Sequence, residues 1–198
     1  MNKVSIYKTE GIIIKAVDLG ELDRLLFVYT RGYGKISVRA ISARKKESKL
    51  RGLLEPFTRG QFVLAKSKTI DIVTDFEVAS SFSYLHKNLE SLAYAYYFAE
   101  LIDKLITHAE TDENVWRLVS RVFEVLNQKR EDLGEIKIMF EDKLLEFLGH
   151  PSLKLWMASH PSPKLSGIIN HQKPVQRLNY LQSLAGERIN SVKFLAAI

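Results

Sequence analysis

The chain has 198 residues, of which 46% are hydrophobic and 26% are charged, and its formal net charge is +6. This composition is typical of a folded globular protein, and the length allows one large domain or two small ones. The sequence contains no cysteine, which excludes disulfide bonds and thiolate metal sites.

No segment of the sequence predicts membrane insertion or export. The longest nearly uncharged apolar run, residues 91–99, is shorter than the ~20 residues that a transmembrane helix needs. The first ten residues, MNKVSIYKTE, contain no apolar stretch of the kind found in signal peptides. We therefore expect a cytoplasmic protein that has no membrane partner.

The positive charge is concentrated in the first half of the chain. Residues 1–80 contain 15 basic and 9 acidic side chains, whereas residues 81–198 contain 14 of each. Between Arg31 and Lys68 there are eleven basic residues and two acidic ones. Such a surplus favours a polyanionic partner, so the sequence predicts two functional regions, with anion binding in the first.

Five segments of the first 80 residues have the alternating pattern of β-strands: 9–17, 24–30, 35–40, 61–66 and 70–78. We expect one face of the first strand to carry Ile12, Ile14 and Ala16. One face of the fifth is expected to carry Ile70, Ile72, Thr74, Phe76 and Val78. Five short strands within 80 residues predict a closed barrel of the oligonucleotide-binding (OB) type over residues 1–80.

Two features of this barrel point to nucleic acid. Gly32 and Gly34 predict a hairpin turn between the second and third strands, and residues 42–51 lack any period, which predicts an exposed loop. The basic residues expected to contact phosphate groups lie on the third strand, in the hairpin and in the loop: Arg31, Lys35, Arg39, Arg44, Lys45, Lys46, Lys49 and Arg51. Candidates for base stacking are Tyr33, Tyr7 and Tyr29. The alternative is a solvated loop whose lysines only aid solubility.

From residue 81 onward the hydrophobic period changes from two to 3.6 residues, which predicts an all-α domain over residues 81–198. The predicted helices span residues 85–106, about 111–126, with Thr111 as the N-cap, and 135–148, ending at Gly149. Another helix or pair of helices begins near Pro174. Residues 150–174 contain four of the five prolines and no period, so we expect an irregular segment there.

Enzyme signatures are absent from the sequence. It contains no GxxxxGK[ST], no GxGxxG after a strand and no GxSxG. The five histidines follow no metal-ligand spacing: His86, His108, His150, His160 and His171. Asp18, Glu21 and Asp23 form an acidic turn that could hold a divalent cation, which leaves a metal-dependent nuclease as one alternative. We expect no enzyme activity, no metal and no cofactor.

Several ordered motifs resemble the bacterial RecO family of recombination mediators. They are EGIII at 10–14, GELDRLL at 20–26, TRGYGKI at 30–36, the basic loop with Ser48, and LEPF at 54–57. The similarity continues with SLAYA at 91–95, ELID at 100–103, residues 140–149 and residues 178–195. It therefore extends over most of the chain.

This resemblance implies an α+β multidomain protein: an N-terminal five-stranded OB-fold barrel followed by an all-α helical domain. It implies binding of single- and double-stranded DNA, strand annealing, and loading of a recombinase onto strands coated by single-strand-binding protein. The implied partners are RecR, the acidic C-terminal tail of single-strand-binding protein and, as a third candidate, RecF, and the implied location is the nucleoid. The family motif positions found here are Arg24, Arg31, Lys35, Arg44, Lys45 and Ser48. An RNA-binding barrel protein remains an alternative, since the same basic surface suits any polyanion.

The acidic tail of the single-strand-binding protein ends in apolar residues, so its receptor should be an apolar pocket edged by basic side chains. We expect this pocket on the helical domain, where the candidate residues are Lys104, Arg117, Arg121 and Lys143. Two features depart from the family pattern. Many members have Lys-Gly-Ala-Arg where this chain has ISAR at residues 41–44, and many carry a four-cysteine zinc element where this chain has residues 150–174.

Overall fold

The computed structural model describes residues 5–106, 111–153, 155–156 and 172–197. The strands are β1 (Ile6–Leu19), β2 (Asp23–Thr30), β3 (Gly34–Ala40), β4 (Arg59–Ala65) and β5 (Asp71–Ser80). The helices are α1 (Ser83–Lys87), α2 (Leu89–Leu105), α3 (Glu113–Leu126), α4 (Leu133–Phe147), α5 (Gln172–Ala185) and α6 (Val192–Leu195). In the parts of the chain just given, no helix is both long and apolar enough to cross a membrane.

The strands form a closed barrel in the order β1-β2-β3-β5-β4. Neighbouring strands are antiparallel, except that β3 and β5 are parallel where Val38 pairs with Asp71. A five-stranded barrel followed by helices confirms the predicted fold class. The division into domains at residues 80 and 81 remains a prediction, although β5 ends at Ser80 and α1 begins at Ser83.

Two hydrophobic cores hold these elements together. One fills the barrel interior and includes Ile13, Leu26 and Phe62. The other lies between the outer surface of the barrel and the helices, where Ile12 and Tyr29 pack with apolar side chains of α2, α3 and α4. Because β1 contributes to both cores, three consecutive residues, Ile12, Ile13 and Ile14, are at most 3% exposed.

A bulge in β1 changes which side chains share a face. Ile13 pairs with Val28, but Lys15 pairs with Phe27, so Ile14 is an extra residue and the alternation reverses after it. Ile14 belongs to the core beneath the helices, whereas Ala16 packs against the barrel interior. The prediction that Ala16 shares a face with Ile12 and Ile14 is therefore wrong.

β5 contains a second bulge. Val63 of β4 pairs with Asp75 and Leu64 pairs with Val73, which leaves Thr74 without a strand partner. Val73 and Phe76 consequently face inward and are 4% and 5% exposed. The prediction of one face running from Ile70 to Val78 is wrong, since Val73, which alternates with that face in the sequence, points inward together with Phe76.

The described helices lie close to the predicted positions, but one predicted helix is divided in two and the caps differ. Asn88 divides the predicted helix at 85–106 into α1 and α2, because its side chain accepts a hydrogen bond from Ser91 N at 2.8 Å and caps the second piece. α3 is capped by Asp112 instead of Thr111. α4 ends near the predicted Gly149, whose φ is 74°. Most of the segment 150–174, with His160 and His171, lies outside the described residues, as does His108.

Candidate nucleic-acid interface

The loop between β3 and β4, residues 41–58, carries most of the predicted phosphate ligands, and we call it the basic loop. It is anchored by apolar side chains that pack with the barrel interior: Ala43, Leu50 and Leu54 are between 1% and 9% exposed. Successive turns are closed by backbone hydrogen bonds, including Ser48 N to Lys45 O at 3.1 Å. The loop therefore holds a defined shape, although its sequence has no period.

Four cations of the basic loop are exposed and available. Lys45, Lys46, Lys49 and Arg51 all lie on its outer surface. Within the described part of the chain, none of the four has an acidic oxygen within 4 Å of its charged nitrogen atoms. Their mutual repulsion would be relieved by the phosphate groups of a polyanion.

The acidic turn between β1 and β2 binds neighbouring arginines. Arg39 Nη2 lies 2.6 Å from Asp23 Oδ2, and Ser42 N donates to Asp23 Oδ1 at 2.7 Å. The Ser42 hydrogen bond, followed by that of Arg39, lowers the pKa of the Asp23 carboxyl. Arg44 donates to Gly20 O at 3.2 Å and lies 3.4 Å from Asp18. The turn and the basic loop are thus tied into one surface.

Arg24 links the acidic turn to the basic loop. Its guanidinium donates to Leu54 O at 3.1 Å, to Glu55 Oε1 at 2.8 Å and to Asp18 Oδ1 at 3.2 Å. Its side chain is 23% exposed, which suits a structural contact better than a phosphate ligand. Asp18 and Asp23, on which the nuclease alternative depends, therefore face arginines. Where the structure describes the chain, no three histidine or acidic side chains are grouped as metal ligands would be.

Two predicted phosphate ligands point toward the helices instead. Lys35 is 4% exposed; its Nζ donates to the main-chain carbonyl of Asp103 in α2 and lies 3.4 Å from Asp103 Oδ1. Arg31 makes two hydrogen bonds to Glu113 of α3, at 2.9 and 3.0 Å, which lower the pKa of that carboxyl. As a predicted phosphate ligand Lys35 is therefore not accessible, because its side chain is buried against Asp103 of α2.

The aromatic candidates differ in access. Tyr29 is 1% exposed and belongs to the core beneath the helices, so no base can reach it. Tyr33 is 39% exposed at the β2–β3 turn, and its ring contacts that of the half-buried Tyr7.

The four predicted partner residues do not form one site. Arg117 and Arg121 lie one turn apart on α3, are both 72% exposed, and pair with Glu113 and Glu124. Lys104 is 11% exposed, pairs with Glu100 at 2.9 Å and lines a different cleft. Lys143 is half exposed and pairs with Glu146 on its own helix.

Two accessible cations of the β4–β5 loop, Lys66 and Lys68, are not among the predicted phosphate ligands. Their position in the sequence could have identified them, because oligonucleotide-binding barrels use the loop between strands 4 and 5 to contact their ligands.

Comparison with known proteins matches both parts of this architecture. The family described as "Recombination protein O N terminal" matches residues 1–82, and "Recombination protein O C terminal" matches residues 86–151. The DNA repair protein RecO of Pelotomaculum thermopropionicum is 33% identical over 164 residues, which are 83% of this chain and 63% of that protein. The DNA repair protein RecO of Clostridium kluyveri is 31% identical over 147 residues, 74% of this chain and 57% of that protein.

The chain therefore spans about three fifths of the length of these curated relatives. The two matched segments follow one another in the order barrel and then helices, and they adjoin where β5 ends and α1 begins. From these matches and this architecture, the chain belongs to the Recombination protein O family.

Proposed function

We propose that this protein binds DNA through the basic loop and acts as a recombination mediator in DNA repair. The observation that carries the proposal is a group of four exposed cations on a loop anchored to an OB barrel, none of which forms an ion pair with a described residue: Lys45, Lys46, Lys49 and Arg51. Membership of the family supports DNA as the polyanion, since the relatives are named as DNA repair proteins. In this role the protein binds single and double strands, anneals complementary strands and helps to load a recombinase onto strands coated by single-strand-binding protein.

The chemistry of this role is electrostatic. Lysine and arginine side chains neutralise phosphate groups and release bound counterions, which favours binding of any sequence. Annealing brings two negatively charged strands together, so a surface that neutralises one of them lowers the repulsion felt by the other. Arg39 and Arg44 border the same surface and are 46% and 38% exposed, which leaves them partly accessible. These steps break no covalent bond, so we assign no catalytic residue and no cofactor.

A competition experiment separates DNA from RNA as the ligand. We expect labelled single-stranded DNA, bound at fixed salt, to be displaced by unlabelled DNA at lower concentrations than by RNA of the same sequence. RNA that competes better than DNA would favour the RNA-binding alternative.

Incubation of labelled DNA with Mg²⁺ tests the nuclease alternative, and we expect the strands to stay intact.

We also propose RecR, the acidic tail of single-strand-binding protein and RecF as partners, with action at the nucleoid in the cytoplasm.

Arg117 and Arg121 are the most exposed of the predicted partner residues. Replacing both with glutamate should weaken binding of a tail peptide by about three- to tenfold, because each is a solvent-exposed charge. Fluorescence anisotropy with the peptide measures this, and Lys129→Glu is the control. Equal losses in both variants would contradict this placement.

A further inference from the structure

We infer that Tyr33 is a stacking surface for one unpaired nucleobase, located at the far end of β3 from the basic loop; this inference rests on the proposed function. β3 runs from Gly34, beside Tyr33, to Ala40, beside the basic loop. Seven residues of strand separate the two places by about 23 Å. A single strand that contacts both would therefore lie along the barrel.

The exposure of Tyr33 stands out in this part of the molecule. Among the described barrel residues, 5–80, it is the one aromatic side chain that is exposed, at 39%, whereas Tyr29, Phe57 and Phe62 are at most 1% exposed. An aromatic ring left in water at a turn has lost the stabilisation that burial provides. A ligand with a flat apolar face, such as a nucleobase, would restore it.

Tyr33 is also held in place before any ligand arrives. Its N–H donates to Thr30 Oγ1 at 3.1 Å, and the Thr30 hydroxyl donates to Gly34 O at 2.8 Å, which fixes the turn. The ring of Tyr33 meets that of Tyr7 at a centroid distance of 4.6 Å and an interplanar angle of 61°. A ring already fixed in this way loses little side-chain entropy when a base stacks on it.

Tyr7 is itself anchored in a polar cluster that includes a cation. Its hydroxyl donates to Asp71 Oδ2 at 2.6 Å, and burial together with this hydrogen bond raises the pKa of the phenol. Lys66 Nζ lies 3.0 Å from Asp71 Oδ2 and 4.9 Å from the centroid of the Tyr7 ring. A positively charged side chain thus lies against Tyr7, the ring that Tyr33 contacts.

The cations of the β4–β5 loop suit the phosphates on either side of a stacked nucleotide. Lys66 is 57% exposed, and Lys68 is exposed and makes no ion pair within the described part of the chain. Bases in a duplex are already stacked on their neighbours, so they cannot reach a ring at a turn without being flipped out. The site therefore takes unpaired bases and adds selectivity for single strands to the sequence-independent binding by the basic loop.

Binding of three probes at equal salt tests this inference: a short oligothymidylate, an abasic strand of equal length, and a duplex. Tyr33→Ala should weaken binding of the oligothymidylate by about fivefold or more, because one base–aromatic stack is lost. The same variant should bind the abasic strand and the duplex as the wild type does. Tyr33→Phe keeps the ring and should bind all three probes normally. Phe194→Ala, which removes an exposed aromatic ring from α6, is the matched control.

Tyr33→Leu separates stacking from a purely structural role, since leucine still covers Tyr7 but offers no aromatic face. Thermal melting verifies that each variant is folded, and if Tyr33→Ala is not, the leucine variant decides. Selective loss of oligothymidylate binding in the leucine variant supports the inference. Equal effects on the three probes, or normal binding by the leucine variant, would overturn it and leave the proposed function intact. A wild-type protein that binds none of the probes at low salt would overturn both.

Discussion

Replacing Lys45, Lys46 and Lys49 together with alanine is expected to weaken DNA binding of every sequence and to flatten its salt dependence. Each lost phosphate contact lowers the slope of log K against log salt by ~0.7 for single strands, so the slope should fall by about two. The affinity at low salt should drop by about tenfold or more, alike for all sequences. Fluorescence anisotropy at several salt concentrations measures both quantities.

The three lysines were chosen because the structure separates binding from folding at these positions. They are exposed and form no ion pair with any described residue, so the free energy of unfolding should change by no more than ~0.5 kcal/mol per substitution. Arg44 is left in place, because it also contacts Gly20 and Asp18. Strand annealing should decline together with binding.

A control variant with the same change of net charge shows whether the effect depends on the location of the lysines or only on the total charge of the protein. Lys129, Arg188 and Lys193 are exposed basic residues of the helical part, and replacing all three with alanine should leave the salt slope close to that of the wild type. If instead the basic-loop variant keeps the wild-type slope and affinity, the loop serves solubility and the DNA site lies elsewhere.

Replacing Glu141 is expected to cause a large loss of stability in the helical part. It lies on α4 and is fully buried; its carboxylate accepts hydrogen bonds from the Tyr97 hydroxyl at 2.5 Å and from Arg177 Nη1 at 3.2 Å, and Lys137 Nζ lies 2.6 Å away. Burial and this carboxylate raise the pKa of the Tyr97 phenol. One carboxylate thus joins α2, α4 and α5.

Glu141→Ala should lower the free energy of unfolding by about 3–5 kcal/mol, since the change removes the acidic partner of Lys137 and the acceptor of the buried Tyr97 hydroxyl. Arg177 keeps Asp142, whose Oδ1 lies 2.7 Å from its Nη1. Urea denaturation monitored by circular dichroism measures the loss. Glu146→Ala, on the same helix but exposed and paired with Lys143, should cost less than about 1 kcal/mol. A similar small cost for both variants would mean that the buried cluster adds little to stability.

The element types and their order were predictable from local pattern. The hydrophobic period is two residues before Ser80 and 3.6 residues after it, and it reflects which side chains face a core. Such a period can be recognised from residues that are close together in the sequence. For the same reason the basic loop was found, because five cations in eight residues without apolar spacing cannot lie in a core. Its four free cations were all among the predicted ligands.

The faces of β1 and β5 were predicted less well. A bulge adds one residue to one strand of a pair, and the signal for it lies in the partner strand and in the packing around it. Neither Ile14 nor Thr74 differs from an ordinary strand residue when the sequence is read alone. After each bulge the alternation of inward and outward side chains reverses. Ala16 therefore does not share a face with Ile12 and Ile14, and Phe76 shares the inward face with Val73.

The sequence by itself determined that this chain forms a barrel followed by helices and that its positive charge is concentrated on the barrel. Only the tertiary structure decided which cations remain free. Lys35 and Lys45 are equivalent by residue type, yet the first is buried and bound to Asp103 of α2, while the second is exposed and forms no ion pair with a residue that the structure describes. Leu54, Glu113 and Asp103 bind Arg24, Arg31 and Lys35, respectively, across 30 to 82 positions of the chain. Contacts over such separations depend on how the helices pack against the barrel, and no local pattern records that packing.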